Sequence, residues 1–194
     1  MAKAEPNAGR SGLIALGAVL LGLVGPATTG LLFTETPKEE SGRKVEVQVQ
    51  PQSVTIRHIS GPQHLRAYLD IVKVATACDG ITDGVKMGQI YTEAQCAAML
   101  EAALAVHAKG VLACTPSLAP TVPGRDHLRY AMISLAYNVG VSGYCRSSIP
   151  RKIAAGQIRA ACDTLLSFNK AGGRVVRGLD ARRRREWAIC VKDA

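Results

Sequence analysis

Apolar and polar positions divide the chain into an uncharged leader, a charged connector and a body that changes period along its length. From Ser11 to Thr34 there is no charged residue. Leu13 to Phe33 is long enough to cross a bilayer at about 1.5 Å per helical residue. Residues 35–44 are charged and carry turn formers, and read as a linker. Val45–Val49 and Val54–Ile59 alternate apolar and polar with period two around Gln50-Pro51-Gln52-Ser53, which predicts a β-hairpin. Residues 62–69 suit a short helix, and residues 70–82, rich in Val, Thr and Gly, a small hairpin. The helical period then takes over. Thr92 and Gln95 form a capping-box pair that opens a helix through His107. Pro116, Pro120, Pro123 and Gly124 mark a loop, and the apolar stretch His127–Val139 is the expected centre of the core. After a break at Gly140–Gly143, helices are predicted over Ile149–Ala155, Gln157–Phe168 and Asp180–Val191, the last strongly basic.

Cysteine usage and charge narrow the setting. Six cysteines, Cys78, Cys96, Cys114, Cys145, Cys162 and Cys190, all lie beyond residue 70 and none forms a CxxC pair. An even set in one domain points to disulfides in an oxidising space, with buried free thiols as the alternative. Sequence proximity, and a helical-hairpin reading of the last pair, predict Cys78–Cys96, Cys114–Cys145 and Cys162–Cys190. The formal net charge of +9 suits a polyanionic partner. No RNA-binding aromatic motif, zinc-finger spacing or recognition helix supports nucleic acid. His64, His107 and His127 are dispersed, so no metal site or triad is expected, and no strand–glycine loop–helix unit calls for a cofactor. Arg182–Arg185 reads either as a contact for anionic polymer or lipid or as a solvated helix face, with Glu186 placed to pair with Arg182.

The chemistry-bearing residues cluster in Tyr68-Leu69-Asp70 and Thr76-Ala77-Cys78-Asp79-Gly80-Ile81-Thr82. Further along stand Gly84-Val85-Lys86, Tyr91-Thr92-Glu93-Ala94-Gln95-Cys96, Ser134-Leu135-Ala136-Tyr137-Asn138-Val139-Gly140, Cys145-Arg146-Ser147-Ser148 and Asn169-Lys170-Ala171-Gly172-Gly173. In this order they resemble the phage-type lysozymes, glycoside hydrolase family 24, from about residue 61 to 191. The resemblance implies an α+β, lysozyme-like fold, mostly helical with a small β-hairpin lobe. It implies peptidoglycan glycan strands as substrate and cleavage of the β-1,4 bond between N-acetylmuramic acid and N-acetylglucosamine. It assigns catalytic roles to Asp70 and Thr76 and substrate contacts to Tyr68, Tyr137 and Asn138. Glycoside hydrolysis uses two carboxyl groups, one of them a proton donor. The family's donor is a Glu seven to nine residues before Tyr-x-Asp, and that position holds Gly61. Between Val47 and Leu69 there is no Asp or Glu. Asp79 is the first substitute expected in the catalytic set and Glu46 the second. Otherwise the domain is a catalytically degenerate peptidoglycan-binding or virion structural module, with virion proteins as partners.

The leader resembles the signal-arrest-release segments of phage endolysins. It is rich in small residues, including Gly17, Gly22, Gly25 and Gly30, is interrupted by Pro26, and follows Lys3 and Arg10. That charge bias places the body across the inner membrane, in the periplasm. A cleaved signal peptide and a permanent anchor are the alternatives. The expected organisation is therefore a hydrophobic membrane segment over 1–34, a linker and extra hairpin over 35–60, and a lysozyme-like domain over 61–194.

Overall fold

A computed structural model describes residues 14–16, 19–70 and 73–194. The flanking Lys3 and Arg10 lie outside them. The described part of the leader is not one long helix. Gly25, at φ +80°, and Pro26 break it into α1 (Val19–Val24) and α2 (Pro26–Glu40). Leu20, Val24, Leu32 and Phe33 are fully buried in the main core. In the described part of the stretch that reads as a membrane span, these side chains pack inside the domain.

The expected linker is helical as far as Glu40. Glu35, Lys38, Glu39 and Glu40 are good helix formers around Pro37, and Lys38 pairs with Glu35 one turn away at 2.7 Å. The helix closes where Ser41 N–H donates to Pro37 and Gly42, at φ +74°, donates to Lys38. The predicted hairpin follows as β2 (Lys44–Gln50) and β3 (Ser53–Ser60), in register from Val45↔His58 to Gln50↔Ser53. Its apolar face, with Val54 and Ile56 buried, lies along α2, and β1 (Ile14–Leu16) adds a third strand against β3.

Residues 62–69 are extended where a short helix was expected. Pro62 opens the stretch, Arg66 bridges Ile90, and β4 (Tyr68–Leu69) pairs with β5 (Ala75–Thr76). Pairing partners on both sides decide the conformation there, which no local propensity reveals. Beneath this lobe lies a small core of Ala67, Ala77, Cys78, Ile81, Val85 and Cys96.

The rest is helical. The capping box is present at the start of α3 (Glu93–Cys114), with Gln95 N–H donating to Thr92 Oγ1 at 3.1 Å. The buried helix α4 (Asp126–Val139) centres the main core. Around it lie α5 (Val141–Arg146), α6 (Ile149–Ala154), α7 (Ile158–Leu165), the small hairpin of β6 (Lys170–Ala171) and β7 (Arg174–Val175), and α8 (Arg177–Cys190). Disulfides join Cys78–Cys96, Cys114–Cys145 and Cys162–Cys190, the three expected pairs.

Candidate active site

The β4–β5 hairpin presents the first two candidate residues. Asp70 sits at the turn, where its backbone N–H donates to Val74 O at 3.0 Å and its Oδ1 accepts from Val74 N–H at 2.8 Å. These contacts fix the carboxylate's direction. Thr76, facing Tyr68 in the strand pair, is buried and donates to Val74 O at 3.1 Å. Tyr68 is half-buried with its ring 4.9 Å from that of His64.

At the end of α4 the half-buried Tyr137 touches both cores and lies with its ring 5.0 Å from His107, while Asn138 is exposed beside it. An open groove of about 250 Å³ runs between Gly80–Asp83 and Ala103, His107 and Tyr137.

Asp79 does not face this groove as a free carboxyl. It is 1% exposed, and both oxygens are taken by Arg43, with Nε at 3.0 Å from Oδ1 and Nη2 on Oδ2. Ser41 Oγ lies 2.9 Å from Oδ1. Glu46 is outside the site as well, paired with Arg57 on the exposed face of the β2–β3 hairpin.

The carboxylate that does reach the site is Glu40, the last residue of α2. Its Oε2 lies 3.2 Å from where a Cβ on Gly80 would sit, a close approach at a glycine with φ +80°. Its Oε1 accepts from Arg182 Nη1 at 2.6 Å, and its side chain keeps 19% exposure. Tyr68 senses Asp70 and Glu40 together: burial first, then these two carboxylates, push its phenol above the ordinary range. Burial, followed by Glu40 and Asp79, does the same to Tyr137.

Arg182 is itself anchored. Its Nε donates to Glu186 Oε1 at 3.1 Å, and the same oxygen accepts from Ser134 Oγ at 2.7 Å and Arg183 Nη2 at 2.8 Å. Burial opposes the Arg182 charge, but Glu40 and Glu186 outweigh it and raise its pKa. Arg182, Arg183 and Glu186 are buried, so this part of the basic run is neither a solvated face nor a polymer contact.

A model of the phage lysozyme family matches residues 61–186. The SAR-endolysin of Enterobacteria phage P21 is 39% identical over 125 residues, 64% of this chain and 73% of that protein. The chain belongs to the phage lysozyme family. It is accordingly a glycoside hydrolase acting on peptidoglycan. The SAR-endolysin of Enterobacteria phage PA-2 is 37% identical over 125 residues, with 64% and 73% covered. Among solved structures, the active form of P1 phage endolysin Lyz superposes with a TM-score of 0.57 at 26% identity, covering 66% of this chain and 75% of that one. A point mutant of P22 lysozyme does so with 0.60 at 25% identity, covering 84% and 95%.

The family match begins at Gly61, and Glu40 lies before it. The β2–β3 hairpin separates the two. Its ends meet at Gly61, φ +92°, where an added Cβ would stand 2.6 Å from Gly42 O and 3.0 Å from Arg43 Cα. The hairpin is thus an excursion from a closed neck. Spacing counted back from Asp70 reaches Gly61 at this neck, and the chain runs on through the hairpin to Glu40. The charged Glu39-Glu40 pair just before a Ser-Gly turn is the signal that was available for Glu40.

Proposed function

We propose that this lysozyme cleaves the β-1,4 bond between N-acetylmuramic acid and N-acetylglucosamine, with Glu40 as proton donor and Asp70 and Thr76 on the opposite face of the sugar. The observation that carries this reading is the Glu40 carboxylate packed against Gly80 of the catalytic lobe and tied to buried Arg182. A protonated Glu40 gives its proton to the departing glycosidic oxygen. Asp70, held by Val74 N–H, stabilises the oxocarbenium-like centre or activates water, and Thr76 lies beside it on the paired strand. Tyr68, Tyr137 and Asn138 line the approach for the glycan. With a carboxylate at this place, the non-catalytic binding module loses its motive.

The test uses the full chain, because α1 and α2 are part of the core. Wild type should clear a suspension of permeabilised bacteria and release fragments with N-acetylmuramic acid at the new reducing end. Glu40→Gln should lower the rate about 10²–10⁴-fold, the contribution typical of a general acid. Fragments ending in N-acetylglucosamine would refute the bond assignment, and unchanged clearing by Glu40→Gln would refute the donor.

For location we infer a membrane-held form that is released to act in the periplasm. The named SAR-endolysin relatives support this, together with an uncharged leader interrupted by Gly25 and Pro26. The leader's apolar side chains have a second destination in the domain core, where Leu20, Val24, Leu32 and Phe33 are buried.

A further inference from the structure

In family members with the ordinary spacing, a connection of seven to nine residues ties the donor to the hairpin bearing the second carboxylate. Here Glu40 and Asp70 stand thirty positions apart, with a complete β-hairpin between them. Chain connectivity holds two points more loosely as the loop between them lengthens. The closed neck at Gly42 and Gly61 shortens that path, and contacts between the end of α2 and the lobe set what remains of the separation.

The Asp79 cluster stands at the required place. Asp79 lies between Cys78, φ +56°, and Gly80, φ +80°, in the catalytic lobe. Cys78 is bonded to Cys96 on α3 and donates its N–H to His64 O at 2.8 Å, and Ala77 bridges Ile81. Asp79 is therefore fixed in its lobe. The three hydrogen bonds of its carboxylate come from the residues just after Glu40: Ser41 Oγ once and the Arg43 guanidinium as a two-pronged fork. Arg43 is 6% exposed, so water competes little with the pair. A buried bidentate ion pair resists both sliding and rotation. Gly80, next to Asp79, is also the residue against which Glu40 Oε2 packs.

We propose that Asp79 is a positioning residue which, through Arg43 and Ser41, clamps the end of α2 onto the catalytic lobe and so sets Glu40 against Asp70 and Thr76. It takes no part in proton transfer. The clamp adds to the closed neck of the hairpin by tying the end of α2 directly to the lobe. The inference rests on Glu40 as the donor, and the experiment separates the two.

Turnover of soluble peptidoglycan fragments and thermal unfolding are measured for wild type, Asp79→Asn, Arg43→Lys, Ser41→Ala and Glu40→Gln. Asp79→Asn should lower kcat about 10- to 100-fold, the scale of a misplaced catalytic group, with KM within about twofold and the limbs of the pH profile unmoved. Arg43→Lys keeps the charge but loses the fork, and should fall between Asp79→Asn and wild type. If Asp79→Asn does not fold, Arg43→Lys and Ser41→Ala carry the same test with smaller losses in kcat. Full kcat in folded Asp79→Asn, or in both fallback variants, would make the cluster a purely structural pair and overturn the proposal while leaving Glu40 in place. Loss of activity as deep as that of Glu40→Gln, with a vanished pH limb, would make Asp79 catalytic and overturn it too. An active Glu40→Gln would instead remove the donor assignment on which the proposal stands.

Discussion

Glu40 and Asp79 both stand beside Gly80, and their surroundings give them different work. Asp79 has both oxygens bound by Arg43 and is closed to solvent; Glu40 keeps some exposure and one ion pair, with Arg182. Arg182→Gln should therefore act twice. It frees Glu40 from its orienting partner and leaves Arg183 as the one cation on Glu186 among the described residues, so kcat should fall and stability should drop by about 3–5 kcal/mol, as for a broken buried pair. Denaturant unfolding and turnover on the same preparation check this. Gly61→Glu, which puts the residue expected from family spacing into that position, should restore nothing. At φ +92° and 2.6 Å from Gly42 O, it should cost about 1–3 kcal/mol of stability with no rise in activity. Asp70, Thr76, Tyr68, Tyr137 and Asn138 were readable as site candidates because each lies in a local motif with its spacing intact. Glu40 was not, because it lies outside the family spacing, on the far side of the β2–β3 hairpin. The burial of Arg182 and Arg183 was hidden by their neighbours Arg184 and Arg185, which pair with Asp180 and Glu39 and make the run look uniformly solvated.

Among the elements, α3 and α4 carry the polar groups that receive the leader. Arg129 on α4 is 1% exposed and donates to Val24 O at 3.3 Å and Thr28 Oγ1 at 3.0 Å. Glu101 on α3 is buried near the backbone amides of Val19 and Leu20, with its Oε1 unpaired, and burial raises its carboxyl above the ordinary 4.5. A carboxyl with a raised pKa binds its proton more tightly in the folded state. Its contribution to stability is fully present below the unfolded value and is lost as pH rises through the folded value. Glu101→Gln should therefore melt above wild type at about pH 8, and the gap should close towards about pH 4. Parallel melts across that range check the sign. The β2–β3 hairpin was legible from its period-two alternation around a Pro-Gln turn. The helical state of residues 35–40 was not, because charged residues with a proline look alike in a linker and in the last turns of a packed helix.

At the scale of the molecule, three disulfides and a buried leader hold together a chain with few aromatic side chains. The loops they close, with separations of 18, 31 and 28 residues, each stabilise by about 3 kcal/mol in the chain-entropy description. If the leader also enters a membrane, as proposed, a bulkier side chain should shift the balance towards lipid. Gly22 has open space, with nothing within 4 Å of an added Cβ. Gly22→Leu should raise the share of protein sedimenting with membranes while leaving the folded domain intact. The central claim is that residues thirty positions apart, Glu40 and Asp70, meet across one glycan strand. A crystal structure of Glu40→Gln with a bound oligosaccharide of alternating N-acetylmuramic acid and N-acetylglucosamine tests it most directly. The account predicts the side chain at position 40 within about 2.6–3.2 Å of a bridging glycosidic oxygen, with Asp70 on the other face of that sugar. A glycan seated with that oxygen out of reach of position 40, or against Asp79 freed from Arg43, would contradict it.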